Sequence, residues 1–329
     1  MDRQRILLTG GAGFIGSHLS EALLHRNAQL TIVDNLDDFY SPALKKATLE
    51  EIRNLGDYEF HAVDICDTQS MHNVIARSRP DVVIHLAARA GVRPSIEQPS
   101  LYGKVNVSGT VNLLELCREV GIKKFIFGSS SSVYGATSKA PFSEDHVEGR
   151  PISPYAATKL SAELFCYTYA HLYGFPVICL RFFTVYGPRQ RPDLAIHKFT
   201  AQLEAGRPIS IFGDGTSGRD YTHVSDIVAG ILAALDYKFP SSVEVPFEVF
   251  NLGNSHPVTL AELLQLLEMA TGRKAIREHR PLQPGDVPLT WAEISKAARL
   301  LGYHPKVTLE EGLRGFVAWY RTLGAHQHG

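Results

Sequence analysis

Short apolar runs alternate with helical patterns along the first half of the chain. The apolar runs carry little alternation of polar and apolar residues, which indicates strands that are buried on both faces. Such strands alternating with amphipathic helices are typical of a parallel sheet covered by helices. The predicted strands are Ile6–Leu8, Leu30–Val33, Asp81–Leu86, Lys124–Phe127 and Val177–Leu180, and the helices predicted between them include Ser17–Arg26, Ser70–Ser78 and Gly109–Val120.

Beyond about residue 181 this rhythm loosens, and Pro and Gly interrupt segments such as YGPRQRPD, IFGDGTSGRD and PLQPGDVP. One further helix is predicted at Thr259–Thr271. A single core is near its practical size limit in a chain of 329 residues, so a large domain with a smaller companion is expected. We predict an α/β fold with a large domain at residues 1–180 and returning segments at about 220–252. Residues 181–219 and 253–329 then form a smaller mixed α/β domain.

The composition is that of an ordinary soluble globular protein, with 44% hydrophobic and 20% charged residues. Because the formal net charge is −1, neither nucleic acid nor an anionic membrane is expected as a partner. No apolar stretch approaches the ~20 residues that cross a bilayer. The cysteines lack the spacing of a zinc site or a disulfide framework, which favours a reducing compartment, no metal site and a cytoplasmic location: Cys66, Cys117, Cys166 and Cys179.

The segment ILLTGGAGFIGSHL predicts a strand, a glycine-rich turn and a helix. Gly10, Gly13 and Gly16 fit the spacing G-x-x-G-x-x-G, and Gly11 in place of Gly10 fits G-x-G-x-x-G. A turn without side chains lets a phosphate approach the backbone N–H groups at the positive end of a helix. In this context the motif predicts a Rossmann-type doubly wound parallel sheet that binds a dinucleotide, and a tight turn without a phosphate is the alternative.

An acid at the end of the next predicted strand selects between the two nicotinamide cofactors. Asp34 lies 18 residues after Gly16. A carboxylate there accepts hydrogen bonds from the adenosine ribose and repels a 2′-phosphate, so NAD is favoured over NADP. Further candidate NAD contacts lie in the glycine turn or at strand ends that meet the same crevice, although each alone also fits a structural role: Phe14, Ile15, Asn35, Asp64, Ile65, Leu86, Ala87, Ala88 and Asn106.

Tyr155 and Lys159 are one helical turn apart in SPYAATK, a predicted helix start with Ser153 as N-cap and Pro154 at the first position. The cation and the helix N-terminus both favour phenolate, so we expect the Tyr155 pKa to fall from about 10 towards the working range. Tyr155 would then remove a proton from an alcohol while a hydride leaves the same carbon, and Lys159 would also hold the nicotinamide ribose. A surface helix is the alternative, because this spacing is common on helices.

Five motifs, in this order along nearly the whole chain, resemble the extended short-chain dehydrogenase/reductases: TGGAGFIG, HLAA, SSSSVYG, YAATK and RDYTHVSD. In that family the residue four before the tyrosine of the VYG segment is the catalytic Ser or Thr. Here this tyrosine is Tyr134. The resemblance therefore implies a Ser130–Tyr155–Lys159 triad and a tightly held NAD.

The two positions after Ser130 distinguish the reactions of family members that act on sugar nucleotides. The 4,6-dehydratases carry Asp-Glu there, and the decarboxylating relatives usually carry Glu at the second position. This chain has Ser131 and Ser132 instead. Without an acid to drive a second step, the resemblance implies that a sugar oxidised at C4 turns and takes the hydride back on its other face. That reaction is 4-epimerisation, and the enzyme would be an isomerase.

The segment RFFTVYGPRQRPDLA, with the later QPGDVPLTWA, resembles the UDP-glucuronate 4-epimerases; hexose epimerases usually have Asn at the position of Thr184. A uronate oxidised at C4 is a β-keto acid that loses CO₂ easily, so a charge-assisted grip must control its carboxylate. Arg191 is our candidate for this grip, although a single arginine also fits a surface ion pair. The helpers and rivals of Arg191 are Ser131, Ser132, Arg189 and Arg93.

By the same resemblance, Arg219 contacts the pyrophosphate and Asp286 the uridine ribose, although Gln283 replaces the Arg that many relatives have three residues before this Asp. The expected function is NAD-dependent interconversion of UDP-glucuronate and UDP-galacturonate by a homodimer that pairs through Gly109–Val120 and Tyr155–Tyr173. The alternatives are a neutral UDP-hexose epimerase, a uronate decarboxylase or 4,6-dehydratase, and a non-catalytic NAD-sensing protein.

Overall fold

The structure of the chain is a computed structural model that describes residues 3–135, 139–147, 149–281 and 287–325. Its strands are β1 (Arg5–Thr9), β2 (Gln29–Val33), β3 (Tyr58–His61), β4 (Val82–His85), β5 (Lys124–Ser130), β6 (Val177–Phe182), β7 (Thr184–Tyr186), β8 (Ile209–Phe212), β9 (Gly218–His223), β10 (Phe247–Leu252), β11 (Pro257–Thr259) and β12 (Arg277–Arg280).

The helices are α1 (Phe14–His25), α2 (Pro42–Arg53), α3 (Thr68–Ser78), α4 (Val92–Glu97), α5 (Pro99–Tyr102), α6 (Gly109–Val120), α7 (Pro154–Tyr173), α8 (Ala195–Glu204), α9 (Val224–Asp236), α10 (Leu260–Thr271), α11 (Ser295–Leu301) and α12 (Leu309–Ala325). A π-helical stretch at Gly103–Ser108 joins α5 to α6. A 3-10 turn at Ser131–Tyr134 follows β5.

A parallel sheet forms the centre of the molecule and confirms the predicted fold class. Within the described residues it has seven strands in the order β10-β6-β5-β4-β1-β2-β3. The order reverses at β1, whose neighbours are β2 and β4. Strand ends next to such a reversal border a crevice, which is where open α/β sheets bind ligands. The glycine turn and the end of β4 both lie there.

Both faces of the sheet are buried, which explains why its strands show no polar alternation. Ile6 and Leu8 belong to a cluster with α1 and α9 on one face. Leu7 belongs to a cluster with α3, α6 and α7 on the other face. All three side chains are 1% exposed or less. Successive residues of a strand therefore point into different layers, but both layers are buried and apolar.

Smaller sheets lie beside the central one. One has the order β11-β9-β7 and another pairs β12 with β8. Their apolar cluster includes residues of α8, α10 and α12. The returning strand β10 pairs with β6 of the central sheet. The domain boundaries given above stay a prediction. Among the described residues, no helix has the length and apolar character that crossing a membrane requires.

Asp220 on β9 connects three segments of the smaller sheets. It is fully buried, and its carboxylate accepts hydrogen bonds from the backbone N–H groups of Asn254 (2.7 Å), Ser255 (2.9 Å) and Ala292 (3.0 Å). Burial raises the pKa of Asp220, and these hydrogen bonds act to lower it. The carboxylate therefore replaces backbone partners that irregular segments cannot supply.

We expect Asp220→Ala to lower the free energy of unfolding by about 3 kcal/mol or more. Three N–H groups would lose their acceptor, and an unsatisfied group costs about 1–3 kcal/mol. Urea unfolding followed by circular dichroism measures the loss. The matched control is Asp214→Ala, because Asp214 is exposed and accepts hydrogen bonds only from Thr216 among the described residues. Equal losses in the two variants would contradict the role assigned to Asp220.

Candidate active site

The glycine turn between β1 and α1 is shaped by close backbone approaches. Gly10 has φ +74°, and a Cβ there would lie 2.7 Å from the backbone N of Ala87. A Cβ on Gly16 would collide with the carbonyl oxygen of Gly10. Gly11 faces away from the turn, since its Cβ would meet Ile32 of β2 at 2.6 Å. The spacing G-x-x-G-x-x-G therefore describes the turn, and Gly11 packs on the sheet.

Gly13 is the N-cap of α1 and makes no side-chain capping hydrogen bond. A Cβ on Gly13 would meet only the carbonyl oxygen of Gly10, at 3.1 Å. The turn thus leaves the N-terminus of α1 without side chains at Gly10, Gly13 and Gly16. Such an end can receive a phosphate group.

Asp34 lies at the end of β2, beside this turn. Its carboxylate accepts hydrogen bonds from the N–H groups of Ala12 (3.2 Å) and Leu36 (2.9 Å). Burial raises the pKa of Asp34, while the Leu36 hydrogen bond and the charge of Lys45 lower it. A carboxylate has about four acceptor sites, so it can also accept bonds from a ribose.

A cavity of about 280 Å³ extends from the glycine turn to the start of α7. Its walls include Tyr155, Lys159 and Arg191. They also include every residue predicted to bind the cofactor except Asn106: Gly10, Gly13, Phe14, Ile15, Gly16, Asp34, Asn35, Asp64, Ile65, Leu86, Ala87 and Ala88. The structure therefore brings the two ends of the predicted chemistry into one space.

Asn106 lies behind the cavity wall, in the π-helical stretch. It is 1% exposed, and its side-chain oxygen accepts a hydrogen bond from the N–H of Arg89 (2.8 Å). Its amide group donates to the Arg89 carbonyl (2.9 Å) and the Thr158 hydroxyl (3.0 Å). The amide therefore ties the loop after β4 to α7, and the predicted cofactor contact of Asn106 stays a prediction.

The start of α7 has the predicted geometry. Ser153 is the N-cap and accepts a hydrogen bond from the N–H of Ala156 (3.1 Å), and Pro154 follows. Tyr155 stands edge-on to Tyr102, with 6.3 Å between ring centroids. Lys159 donates a hydrogen bond from Nζ to the carbonyl oxygen of Gly128 (2.7 Å). Both predicted groups reach the cavity from the same face of α7.

The predicted lowering of the Tyr155 pKa is wrong for this structure. Burial raises the pKa of Tyr155 above its usual value, and the Ser130 hydroxyl and the charge of Arg191 only partly oppose it. Burial also lowers the pKa of Lys159 to about 8, although the charge of Glu163 acts in the opposite direction. The charge that lowers the Tyr155 pKa is that of Arg191 and not, as predicted, that of Lys159, and neither this contact nor the desolvation that outweighs it can be inferred from the local sequence.

Comparison with known protein families places the chain among its relatives. Residues 7–316 match the model of a family described as GDP-mannose 4,6 dehydratase. The chain belongs to this family. The predicted resemblance to the extended short-chain dehydrogenase/reductases is confirmed.

Several members of the family are similar to this chain over nearly its whole length. A UDP-glucuronate 4-epimerase of Thermodesulfobacterium geofontis is 43% identical over 314 residues, which are 95% of each chain. The structure of UDP-glucuronic acid 4-epimerase from Bacillus cereus in complex with UDP-glucuronic acid and NAD is 38% identical. Its TM-score is 0.89, and the match covers 97% of this chain and 99% of that one. A UDP-glucose 4-epimerase of Thermotoga maritima with UDP-glucose is 36% identical, with a TM-score of 0.87 and coverage of 97% and 99%.

The serine-rich segment at the end of β5 brings several hydroxyl groups together. Ser130 ends β5, is 9% exposed, and accepts a hydrogen bond from the N–H of Ser132 (3.2 Å). Its hydroxyl also donates to the Ser132 hydroxyl (3.2 Å). Ser131 and Ser132 are half-buried and carry no ionisable group. The segment can supply hydroxyl groups but no carboxylic acid.

A buried ionic network behind Lys159 escaped the sequence analysis. Glu163, one turn further along α7, accepts hydrogen bonds from Arg181 Nε (3.0 Å) and Nη2 (2.7 Å) and from the Ser129 hydroxyl. Arg181 also donates to the Tyr134 hydroxyl (3.0 Å). Glu163 follows Lys159 at the same four-residue spacing that separates Tyr155 from Lys159. Its partner Arg181 lies on β6, and only the folded structure shows that the two side chains meet. The network holds the helix that carries Lys159 against β5 and β6.

Arg191 lies on the loop between β7 and α8, and its side chain is 16% exposed. It donates two hydrogen bonds to the carboxylate of Asp193, from Nε (2.9 Å) and Nη2 (2.8 Å). Its guanidinium lies 5.2 Å from the ring centre of Phe39. Burial lowers the pKa of Arg191, but the bonds to Asp193 outweigh this and raise it. A charged arginine therefore stands in the same cavity as Tyr155.

Of the remaining predicted substrate residues that the structure describes, none is part of the cavity wall. Arg93 is exposed and lies 5.1 Å from the ring centre of Phe212 on β8. Arg189 pairs with Glu21 of α1 and, at 3.4 Å, with Glu51 of α2. Arg219 Nη1 donates to the Gly218 carbonyl (2.8 Å) and Thr184 begins β7, and neither residue is part of the cavity wall. Asp286 and Gln283 lie outside the described residues.

Sequence reasoning also missed part of the cavity wall. The loop after β2 contributes Asp37, Phe39 and Tyr40, and the loop after β4 contributes Arg89. Asp37 pairs with Arg89 Nη1 at 2.8 Å. The one available signal was the aromatic pair in DNLDDFY, directly after the candidate ribose acid.

Proposed function

We propose that this chain is an NAD-dependent UDP-glucuronate 4-epimerase that interconverts UDP-glucuronate and UDP-galacturonate. One observation carries the proposal: a tyrosine–lysine pair, an arginine and a glycine turn with a buried acid line the same cavity. The relatives named UDP-glucuronate 4-epimerase, at 43% and 38% identity, support the same activity.

The residues around the glycine turn fit NAD. A Cβ at Gly10 or Gly16 would close the turn, and the start of α1 is free to receive a phosphate. The Asp34 carboxylate would accept hydrogen bonds from the adenosine ribose hydroxyls and repel the 2′-phosphate of NADP. When bound, NAD accepts a hydride from C4 of the sugar and later returns it. The chain supplies the binding surface and the proton transfers.

Tyr155 is the proposed general base and acid. Its hydroxyl would take the proton of the C4 hydroxyl and give it back after the sugar has turned. Ser130, which acts to lower the pKa of Tyr155, would donate a hydrogen bond to the same oxygen. Lys159, fixed by the Gly128 carbonyl, would place its positive charge beside the phenolate and hold the cofactor ribose.

The lack of a further acid favours epimerisation over elimination. A dehydratase or decarboxylase reaction needs a group that moves a second proton, and Ser131 and Ser132 are poor acids and bases. Arg191 would bind the uronate carboxylate and restrain the β-keto acid from losing CO₂. Thr184, Ser131 and Ser132 are proposed as additional hydroxyl contacts, and Arg219 and Asp286 as contacts of the nucleotide.

The decisive experiment is incubation of the purified protein with UDP-glucuronate, without added reductant, followed by NMR of the products. We expect UDP-galacturonate to appear with no net change in redox state. A parallel incubation with UDP-glucose tests the neutral-hexose alternative, which the 36% identical Thermotoga maritima relative represents. Loss of CO₂ or water as the main reaction would reject the proposal.

The homodimer is part of the proposal, and two helices support it. Tyr169 of α7 bonds to Glu115 of α6 at 2.7 Å, so the two helices form one surface. On that surface Leu164 and Leu172 are each 61% exposed and Phe165 is 39% exposed. Apolar patches of this kind are typical of protein interfaces. The cytoplasmic location also stays a prediction.

We expect Leu164→Asp to convert the protein from a dimer into a monomer. A charge placed in an apolar contact loses hydration without gaining a partner. Sedimentation velocity measures the mass in solution. Met269→Asp is the matched control, because Met269 is 69% exposed on α10, outside this surface. A monomeric wild-type protein, or a dimeric Leu164→Asp variant, would reject the interface.

A further inference from the structure

The guanidinium of Arg191 already binds the carboxylate of Asp193 along one of its edges. A second edge remains for another carboxylate. Asp193 occupies Nε and Nη2 through two hydrogen bonds of 2.9 and 2.8 Å. An arginine has five N–H donors in a planar fork. With the side-on edge taken by Asp193, the end-on edge formed by Nη1 and the second N–H of Nη2 is available for another carboxylate. Nη1 makes no hydrogen bond to any residue that the structure describes.

The same guanidinium also lies over an aromatic ring. The ring centre of Phe39 lies 5.2 Å from the guanidinium carbon of Arg191 and 5.6 Å from that of Arg89. The Phe39 loop is itself fixed, because Asp37 accepts the Phe39 N–H (2.9 Å) and pairs with Arg89 (2.8 Å). Arg191 is therefore restrained at one edge by Asp193 and also contacts the ring of Phe39.

These contacts connect the carboxylate-binding group to the catalytic helix. The side chain of Asn106 makes hydrogen bonds with both the N–H and the carbonyl of Arg89, and also with the hydroxyl of Thr158 on α7. Thr158 lies between Tyr155 and Lys159 in sequence. A continuous set of contacts thus relates the position of Arg191 to that of the base.

We propose that Asp193 is a positioning residue for uronate selectivity: it fixes the Arg191 guanidinium so that only its end-on edge meets the substrate carboxylate. This deepens the proposed function and rests on it. The opposing possibility is that Asp193 competes with the substrate for Arg191. Asp193 is 41% exposed, so water screens its charge, whereas the orientation that it imposes is not screened.

The orientation matters because of what happens to a 4-keto uronate. If the carboxylate can move, a change of ring conformation about C4–C5 brings the C5–C6 bond parallel to the π orbitals of the C4 ketone, and this bond breaks. CO₂ then leaves, the electron pair forms an enolate, and water protonates C5 to give a 4-keto pentose. A guanidinium fixed by Asp193 keeps the substrate carboxylate in one place and so limits this movement, while a loosely held one permits it.

The test is Asp193→Asn, assayed with UDP-glucuronate that carries a ¹³C label at C6. We expect the fraction of turnovers that release labelled CO₂ to rise about tenfold or more, since small misplacements of reacting groups have effects of that size. The KM for UDP-glucuronate should rise by up to about fivefold. The dissociation constant for UDP-glucose, which has no carboxylate, should not change. Asp193→Glu should restore part of the wild-type product ratio.

Each other result has a definite meaning. Tighter binding of UDP-glucuronate with an unchanged CO₂ fraction would show competition and overturn the inference. Equal changes for both ligands, or a lowered melting temperature that accounts for the loss, would assign Asp193 a structural role and also overturn it. Wild-type protein that forms no UDP-galacturonate would instead overturn the proposed function, so the two failures are distinguishable.

Discussion

Replacing Tyr155 by phenylalanine is expected to lower kcat for epimerisation by about 10²–10⁴-fold, the range that general acid–base groups contribute. Only the hydroxyl is lost, so the ring contact with Tyr102 and the start of α7 should persist. The melting temperature and the affinity for NAD should stay close to the wild-type values. Turnover is measured by NMR of the UDP-sugar products over time.

The matched control for this variant is Tyr167→Phe. Tyr167 lies on the same helix, is 46% exposed, and is not part of the cavity wall. It should retain wild-type turnover. If Tyr155→Phe kept more than a tenth of the wild-type rate, a group other than this phenol would be the base.

Removing the cation of Arg191 should have the second largest effect. We expect Arg191→Ala to lower kcat/KM for UDP-glucuronate by roughly 10- to 150-fold. This range corresponds to about 1.5–3 kcal/mol, the contribution of a hydrogen bond to a charged group. The freed Asp193 carboxylate would also repel the substrate, and the fraction of product that has lost CO₂ should increase. Binding of UDP-glucose, measured by calorimetry, should change little.

Arg189→Ala provides the comparison, because Arg189 pairs with Glu21 and Glu51 instead of facing the cavity. Its loss can destabilise the loop and so lower the affinities for both sugars. The ratio between UDP-glucuronate and UDP-glucose should nevertheless stay at the wild-type value. An unchanged ratio in Arg191→Ala as well would mean that another residue recognises the carboxylate.

The regular part of the fold could be predicted from sequence because it is encoded locally. The helix at Gly109–Val120 was predicted with the bounds that the structure has. The edge strand Tyr58–His61 was not predicted, since it is partly exposed and lacks an apolar run. The helix Pro42–Arg53 was also missed, since five of its twelve residues are charged and interrupt its apolar positions.

The candidate site divides in the same way. The glycine turn, the acid after β2 and the start of α7 are each contiguous in sequence, and they were recognised. The desolvation of Tyr155 depends on residues from several segments, so its effect on the pKa could not be foreseen. The contact between Phe39 and Arg191 joins positions far apart in the chain, and nothing in either local sequence indicates it.

The π-helical stretch at Gly103–Ser108 gives the segment between α5 and α6 a turn with one more residue than an α turn. Because a π turn winds less per residue, this residue is accommodated while the two helices keep nearly the same rotational phase. Asn106 lies in this wide turn, where its amide meets the Arg89 backbone. Deleting one residue would restore α-helical winding and leave α5 and α6 in phase, but it would remove the widened turn that carries Asn106, so the loop after β4 would lose its tie to α7.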